Sequence, residues 1–302
     1  MTNSVKKTNK FAAFAKNEYS QFGEDGIIEA ILEYLPNKNN WCVEFGAWDG
    51  IHLSNTYNLI KTKDYESVLI EADSKKFQVL KENLKDFKAV LVNEFVMFEG
   101  INTLDNILSK TPIPKDFDFL SIDIDGNDYY ILESLISYKP KVICIEYNPT
   151  IPNEVSYIQP RDFKIQRGSS ALAILNLAIS KGYSLATTTE CNLILVSDDY
   201  WQHLGMEKGD LSDFRDDTLD KVFAFSGYDG TVILSQPLNL YWHDIKVRED
   251  ELQFIPNFLR KFISNYNIFQ KNLFLIFFCA RRPSEFLKRI AKKIHKRKNV
   301  AQ

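Results

Sequence analysis

The stretch Trp41-Cys-Val-Glu-Phe-Gly-Ala-Trp-Asp-Gly50 decides how the rest of the chain is read. Residues 42–45 form a short apolar run broken only by Glu44, and the run opens into the spacing Glu44-x-Gly46-x-x-x-Gly50. Small residues after a buried strand let a backbone approach a ligand closely. The pattern is that of a nucleotide-cofactor loop, and such a loop requires a sheet around it.

The flanking sequence supplies that sheet. Residues 51–61 fit a helix whose N-terminus faces the ligand, and residues 67–70 fit a second strand ending in Glu71-Ala72-Asp73. Glu71 lies where an acidic residue at the end of the second strand would hold ribose hydroxyls. A helix over 75–84 follows, then a third strand over 89–92 with Asn93 at its end and a short helix over 104–109. Residues 117–122 form a fourth strand that delivers Asp123-Ile-Asp-Gly-Asn-Asp128, with a helix over 129–137. Residues 141–145 form a fifth strand that delivers Glu146-Tyr-Asn148.

Strand, acidic tip and helix alternate in this way four or five times. The alternation predicts an α/β fold with a Rossmann-like, doubly wound, mostly parallel sheet, helices on both faces and ligands beyond the strands' carboxyl ends. Upstream, Ser20-Gln-Phe-Gly-Glu-Asp-Gly26 leads into a helix over 27–35 stopped by Pro36. Glu24 and Asp25 belong either to the cofactor site or to the helix N-terminus, where the dipole favours acids. Downstream, residues 150–169 are a polar loop reaching over the site, 170–181 a helix, and 183–187 and 192–196 two last strands that bring the sheet to seven.

Length and composition set the frame for these elements. With 302 residues and 45% hydrophobic content the chain can bury a substantial core. The expected division is a flexible leader over 1–18, a cofactor-binding domain over 19–199, an acceptor-side insertion or small β subdomain over 200–253, and a basic amphipathic helical tail over 254–302. Within 200–253, residues 222–226 and 231–234 fit a hairpin. Cys42, Cys144, Cys191 and Cys279 are far apart with no CxxC, which argues against a zinc site or disulfide framework and suits a reducing cytoplasm. Met1–Lys10 lacks the apolar run of about 7–15 residues found in signal peptides.

The net charge of −3 is unevenly spread. From Arg260 onward there are twelve Lys/Arg and one Glu, net +11, which leaves the preceding chain at −14. An acidic body argues against nucleic-acid binding, whereas a basic tail suits an anionic surface. The longest apolar run of the tail, residues 273–280, is far short of the ~20 residues that span a bilayer. Phe286, Leu287, Ile290 and Ile294 recur at helical spacing among the basic residues. That pattern fits either a helix lying on the inner face of a membrane or one packed on protein.

Taken together, Ser20–Gly26, Val43-Glu-Phe-Gly-Ala-Trp-Asp-Gly50, Ser54-Asn55-Thr56, Leu69-Ile-Glu-Ala-Asp73 and Ser121-Ile-Asp-Ile-Asp-Gly126 resemble the FkbM-type branch of the class I S-adenosylmethionine-dependent methyltransferases, over residues 18–197. The resemblance implies methyl transfer from S-adenosyl-L-methionine to a hydroxyl of a sugar, glycan or nucleotide-sugar acceptor. It implies that Glu44 and the Gly46-Ala47 to Gly50 backbone hold the methionine end of the cofactor, and that Asn55 joins the set. Glu71, with Ala72 and Asp73, would take the ribose, Asn93 would sit near the adenine, and Asp123 would face the transferred methyl.

Hydroxyl methylation also needs the proton removed, by a base or by a metal that acidifies the hydroxyl. Asp123, Asp125, Glu146 and Asn148 lie on adjacent strand ends, and an all-oxygen set suits Mg²⁺ or Mn²⁺. The alternative is that 125–128 cap the following helix. Of the four histidines, His52 directly follows the glycine loop and is the expected base, with His203, His243 and His295 more remote. Arg161 and Arg167 could bind an anionic group of the acceptor. Two other functions compete with this reading. A nicotinamide-dependent oxidoreductase is opposed by the missing GxGxxG, and a non-catalytic membrane-associated adaptor is opposed by the carboxylates at the strand ends.

Overall fold

A computed structural model of the chain describes residues 9–217 and 221–300, with side chains as far as Lys292. It divides into two compact units, one reaching Lys221 and one beginning at Val222.

The first unit is built on a seven-stranded sheet. Its strands are β1 (Trp41–Phe45), β2 (Glu66–Ile70), β3 (Ala89–Val92), β4 (Phe119–Ile122), β5 (Val142–Glu146), β6 (Tyr183–Thr188) and β7 (Asn192–Ser197). They lie in the order β3-β2-β1-β4-β5-β7-β6. The first five are parallel, and β7 runs antiparallel to both β5 and β6. The order reverses between β1 and β4, so the crevice that opens in such sheets lies beyond these two carboxyl ends.

Strand residues alternate between two cores, as a pleated strand buried on both faces must. Val43, Phe45, Val68, Ile70 and Ile143 pack with α4 (Leu104–Leu108), α5 (Asp128–Ser134) and α6 (Ala171–Ser180). Cys42, Leu69, Phe119 and Cys144 pack with α1 (Glu24–Tyr34), α2 (Tyr57–Thr62) and α3 (Ser74–Asn83). The expected fold class, with helices on both faces, is the observed one. Within the described part of the expected leader, Phe11 is fully buried in the second of these cores, while residues 12–18, including a 3₁₀ turn at Ala12–Phe14, are exposed.

Two expectations need correction. The helix expected over 51–61 begins only at Tyr57, because the Ile51 and His52 amides turn onto Asp49, Leu53 stands at a φ of 56° and residues 54–56 are held by hydrogen bonds to Glu44. The division expected after residue 199 falls after 221 instead. Trp201, Leu204 and Leu211, on a 3₁₀ turn and the short α7 (Leu211–Phe214), are buried and keep that stretch in the first unit.

The second unit contains the expected hairpin, β8 (Ala224–Ser226) against β9 (Val232–Leu234), and another that the sequence reading missed, β10 (Leu238–Leu240) against β11 (Ile245–Val247). It ends in α8 (Ile268–Arg281) and α9 (Pro283–Val300). Among the described residues no helix is long and apolar enough to cross a membrane.

Candidate active site

Glu44 is buried one residue before the end of β1, where a carboxylate has to find hydrogen-bond donors. Its Oε2 accepts Ser54 Oγ at 2.6 Å and Thr56 Oγ1 at 2.7 Å, and its Oε1 accepts the Asn55 amide at 2.9 Å. Burial raises its pKa above the usual range, against these bonds. Glu44 thus fixes the 54–56 turn. Asn55 reaches beneath the strand tips, donating through Nδ2 to Ser121 Oγ at 3.0 Å and to Cys144 Sγ at 3.8 Å.

Beyond β1 and β2 lies a cavity of about 190 Å³ whose walls include Gly46, Glu71, Ala72, Val96, Asn127 and Phe163. Gly46 adopts a φ of +70°, and a Cβ there would meet the Asp123 carbonyl oxygen at 2.9 Å. Gly50 is different: it lies outside the lining, and its Cβ would strike Leu80 and Leu84 of α3, both at 2.6 Å. The first glycine of the motif serves the cavity and the last serves helix packing. Ala47, between them, is buried and donates its amide to the Ile70 carbonyl.

Glu71 stands at the cavity as the sequence predicts. The Trp48 amide on Oε2, at 2.9 Å, and the Asp73 amide on Oε1, at 2.7 Å, hold its carboxylate in place and leave acceptor capacity for a ribose diol. Asp73 itself caps α3 through the Lys75 and Lys76 amides. Asn93 braces the same turn, donating to the Glu71 and Ala72 carbonyls and accepting from Ser74 Oγ, while the wall beside it is made by Phe95 and Val96.

Two acceptors missed from the sequence face this region: Asn127 Oδ1 and Glu94 Oε2 belong to lining residues, are buried, and have no hydrogen-bond partner among the described residues. Buried acceptors of this kind want a donor. A nucleoside brings amino and hydroxyl donors together with a flat apolar ring, so the residues present fit the nucleoside half of S-adenosylmethionine.

At the tips of β4 and β5, Asp123, Asp125 and Glu146 each offer a carboxylate oxygen within 4.8 Å of the other two. Asp128, not singled out from the sequence, shapes this turn by accepting the Ile124 and Gly126 amides, each at 2.9 Å. Crowding has an electrostatic consequence. Asp123 and Asp125 are exposed and Glu146 half-buried, yet desolvation of the carboxyl, then the charges of Asp128, Asp125 and Glu44, push Asp123 up to about 7; desolvation and the charges of Asp123, Asp128 and Asp125 raise Glu146 further, and burial raises Asp128.

Asn148, expected in the set, is spent elsewhere: Oδ1 accepts from the Thr150 amide and hydroxyl, and Nδ2 donates to the Arg167 carbonyl. It pins the loop after β5. His52 is exposed, edge-on to Trp48 at 5.3 Å, and does not line the cavity. His203 lies on the 3₁₀ turn after β7, His243 lies in the second unit, and the side chain of His295 falls outside the described residues. Arg161 pairs with Glu99 and Glu133 and lies over Phe98; the Arg167 side chain is exposed.

The Ser20–Gly26 turn is held from within. Asp25 Oδ2 accepts the amides of Glu18, Tyr19 and Ser20, and Glu24 Oε1 accepts Thr189 Oγ1 at 2.6 Å and Asn192 Nδ2 at 3.1 Å. Both acids therefore do more than favour a helix dipole.

A cavity lined by Gly46 and by unpaired acceptors lies beside a carboxylate cluster at the switch point of this sheet, an arrangement that suits an S-adenosylmethionine-dependent methyltransferase. Residues 99–185 match the family model described as "Methyltransferase FkbM domain", a stretch that contains the whole acidic cluster and runs from the loop before α4 into β6. No curated protein matches the chain. Solved structures similar to it include the precorrin-6y C5,15-methyltransferase from Geobacter metallireducens GS-15 (14% identity, 61% of this chain and 92% of that one, TM-score 0.36). Others are M. capricolum TrmK in complex with S-adenosyl-homocysteine (11%, 57% and 68%, 0.33) and a SAM-dependent methyltransferase from Aquifex aeolicus (11%, 63% and 96%, 0.34).

Proposed function

We propose that the enzyme methylates a hydroxyl oxygen of a sugar or glycan intermediate, with Asp123, Asp125 and Glu146 at the reacting end. In this reaction the acceptor oxygen forms a bond to the methyl carbon as the carbon–sulfur bond breaks. The products are a methyl ether, S-adenosylhomocysteine and a proton. The observation that carries the reading is the gathering of three carboxylates within 4.8 Å of one another beside the Asp123–Gly46 contact. Gly46, after β1, would admit the cofactor next to the β4 tip that offers proton acceptors. Asp123, raised toward neutrality, holds a proton taken from the hydroxyl better than an ordinary carboxylate would.

The all-oxygen donor set also fits Mg²⁺ or Mn²⁺, which when bound would acidify the acceptor hydroxyl. The sugar class is supported by the FkbM resemblance. The test is transfer of radiolabelled methyl from S-adenosylmethionine to a panel of nucleotide sugars and oligosaccharides, with and without chelator. Label in a saccharide methyl ether supports the reading, and label only in nitrogen or carbon acceptors overturns it. Full activity in excess chelator removes the metal.

The second unit suggests where this chemistry happens. Phe262, Ile263, Ile268, Phe269 and Ile276 are exposed on a segment that also carries Arg260, Lys261, Lys271, Arg281 and Arg282. Exposed aromatics among cations suit an anionic bilayer surface, which would hold the enzyme at the inner face of a membrane. Co-sedimentation with phosphatidylglycerol but not phosphatidylcholine vesicles is expected; failure to bind the anionic vesicles would exclude it.

A further inference from the structure

The metal reading leaves one ligand to find, since Asn148 is engaged elsewhere. Asn192 is the first residue of β7 and pairs directly with Glu146 across the antiparallel β5–β7 ladder. Ile122 pairs with Ile145, so continuing that register by one residue brings Asp123 level with Glu146. Residues that stand opposite one another on neighbouring strands share a face of the sheet. Asp123, Glu146 and Asn192 therefore form one row across three adjacent strand tips.

The state of the Asn192 amide is an independent observation. The side chain is 6% exposed. Its Nδ2 donates to Glu24 Oε1 at 3.1 Å, which fixes the orientation of the amide, since a reversed amide would set oxygen against carboxylate oxygen. Oδ1 is then directed away from Glu24, and it is buried without a partner among the described residues. A buried amide oxygen left unpaired is unfavourable. The residues in its row are carboxyl groups, and a cation held among them would serve all of these oxygens.

We infer that Asn192 Oδ1 is the fourth oxygen ligand of a divalent cation held by Asp123, Asp125 and Glu146, an assignment that rests on the metal-assisted reading above. Glu24 acts as the positioning residue that aims the amide, in the way outer hydrogen bonds orient metal ligands. A neutral oxygen added to three carboxylates completes a hard donor set suited to Mg²⁺ or Mn²⁺. It comes from the antiparallel strand, whereas all three carboxylates stand at the carboxyl ends of parallel ones.

The test is titration of the full-length protein with Mn²⁺, followed by paramagnetic resonance and calorimetry in the presence of S-adenosylhomocysteine. Wild type should bind one Mn²⁺, Asn192→Ala should weaken that binding by about 10–100-fold, and Asn148→Ala should leave it unchanged. Affinity for S-adenosylhomocysteine reports whether each variant is folded. Should Asn192→Ala fail that control, Asn192→Asp, which keeps an oxygen in place, is expected to retain Mn²⁺. Asn192→Ala binding Mn²⁺ as tightly as wild type, while Asp123→Asn loses it, would overturn Asn192 and leave the metal reading standing. So would an Asn192→Asp protein that binds S-adenosylhomocysteine but not Mn²⁺. Wild type that binds S-adenosylhomocysteine and no Mn²⁺ would overturn both.

Discussion

Gly46 faces the Asp123 carbonyl so closely that a Cβ on the glycine would stand 2.9 Å from that oxygen. The contact joins the cofactor loop after β1 to the acidic tip of β4, and both Gly46 and Gly50 need positive φ. Their neighbours separate them. Gly46→Ala intrudes on the cavity lining, so its main effect should be a loss of S-adenosylhomocysteine affinity. Gly50→Ala lies outside the lining: it too carries backbone strain and a collision, here with the Leu80 and Leu84 side chains, each costing about 1–3 kcal/mol, so it should lower the Tm while keeping more of the S-adenosylhomocysteine affinity. Calorimetry and thermal denaturation of the two variants would contradict this if the ranks were reversed.

Glu71 is held by two backbone amides and lines a cavity, so a ligand-binding role and a purely structural role predict different losses. Glu71→Ala should weaken S-adenosylhomocysteine by about 10–100-fold, the worth of one or two charged hydrogen bonds. Adenine alone, lacking the ribose, should bind wild type and variant equally. An equal loss for both ligands would place the effect in folding.

The parallel strands were legible because each is an apolar run, as a strand buried on both faces must be, with an acid or an amide in or beside its carboxyl end. Glu71 and Asp123 were legible for the same reason. The 51–56 turn was not, since its shape comes from Asp49 and Glu44 hydrogen bonds that override a helical pattern. Asn148 and Asn192 are alike in sequence, each an amide at a strand end. Only the β5–β7 register shows that one pins a loop while the other stands across from Glu146. The boundary after 221 was hidden because three apolar residues at 201, 204 and 211 do not make a recognisable element.

At the opposite end of the sheet, Lys141 and Asp118 form an ion pair at 2.6 Å with both side chains fully buried. Asp118 also accepts the Asn39 and Asn40 amides and the Tyr65 hydroxyl. Removing the cation strands a charge, so Lys141→Met should cost about 3–5 kcal/mol. Affinity of the remaining folded protein for S-adenosylhomocysteine should be unchanged, because the pair lies at the amino ends of the strands. Urea unfolding tests the first claim and calorimetry the second; a midpoint equal to wild type would show that the pair contributes nothing.

The acidic cluster gives the enzyme a pH signature with a definite sign. Asp123 has a folded value of about 7 against an ordinary 3.8, and Glu146 is shifted in the same direction. Below pH 4 the group is protonated in both folded and unfolded chains. As pH rises from 4 to 7 the unfolded chain releases its proton while the folded one retains it, so the folded state binds more protons and stability must fall across that window. Asp123→Asn cannot ionise and escapes this loss. In chelator, the urea midpoint of wild type should therefore fall relative to that of Asp123→Asn between pH 4 and 7, and the variant should be the more stable protein at pH 8. Methyl transfer by wild type should rise through an apparent pKa near neutrality that belongs to the cluster as a whole, as the base becomes available. Parallel stability curves for the two proteins would show that Asp123 titrates as an ordinary surface carboxylate.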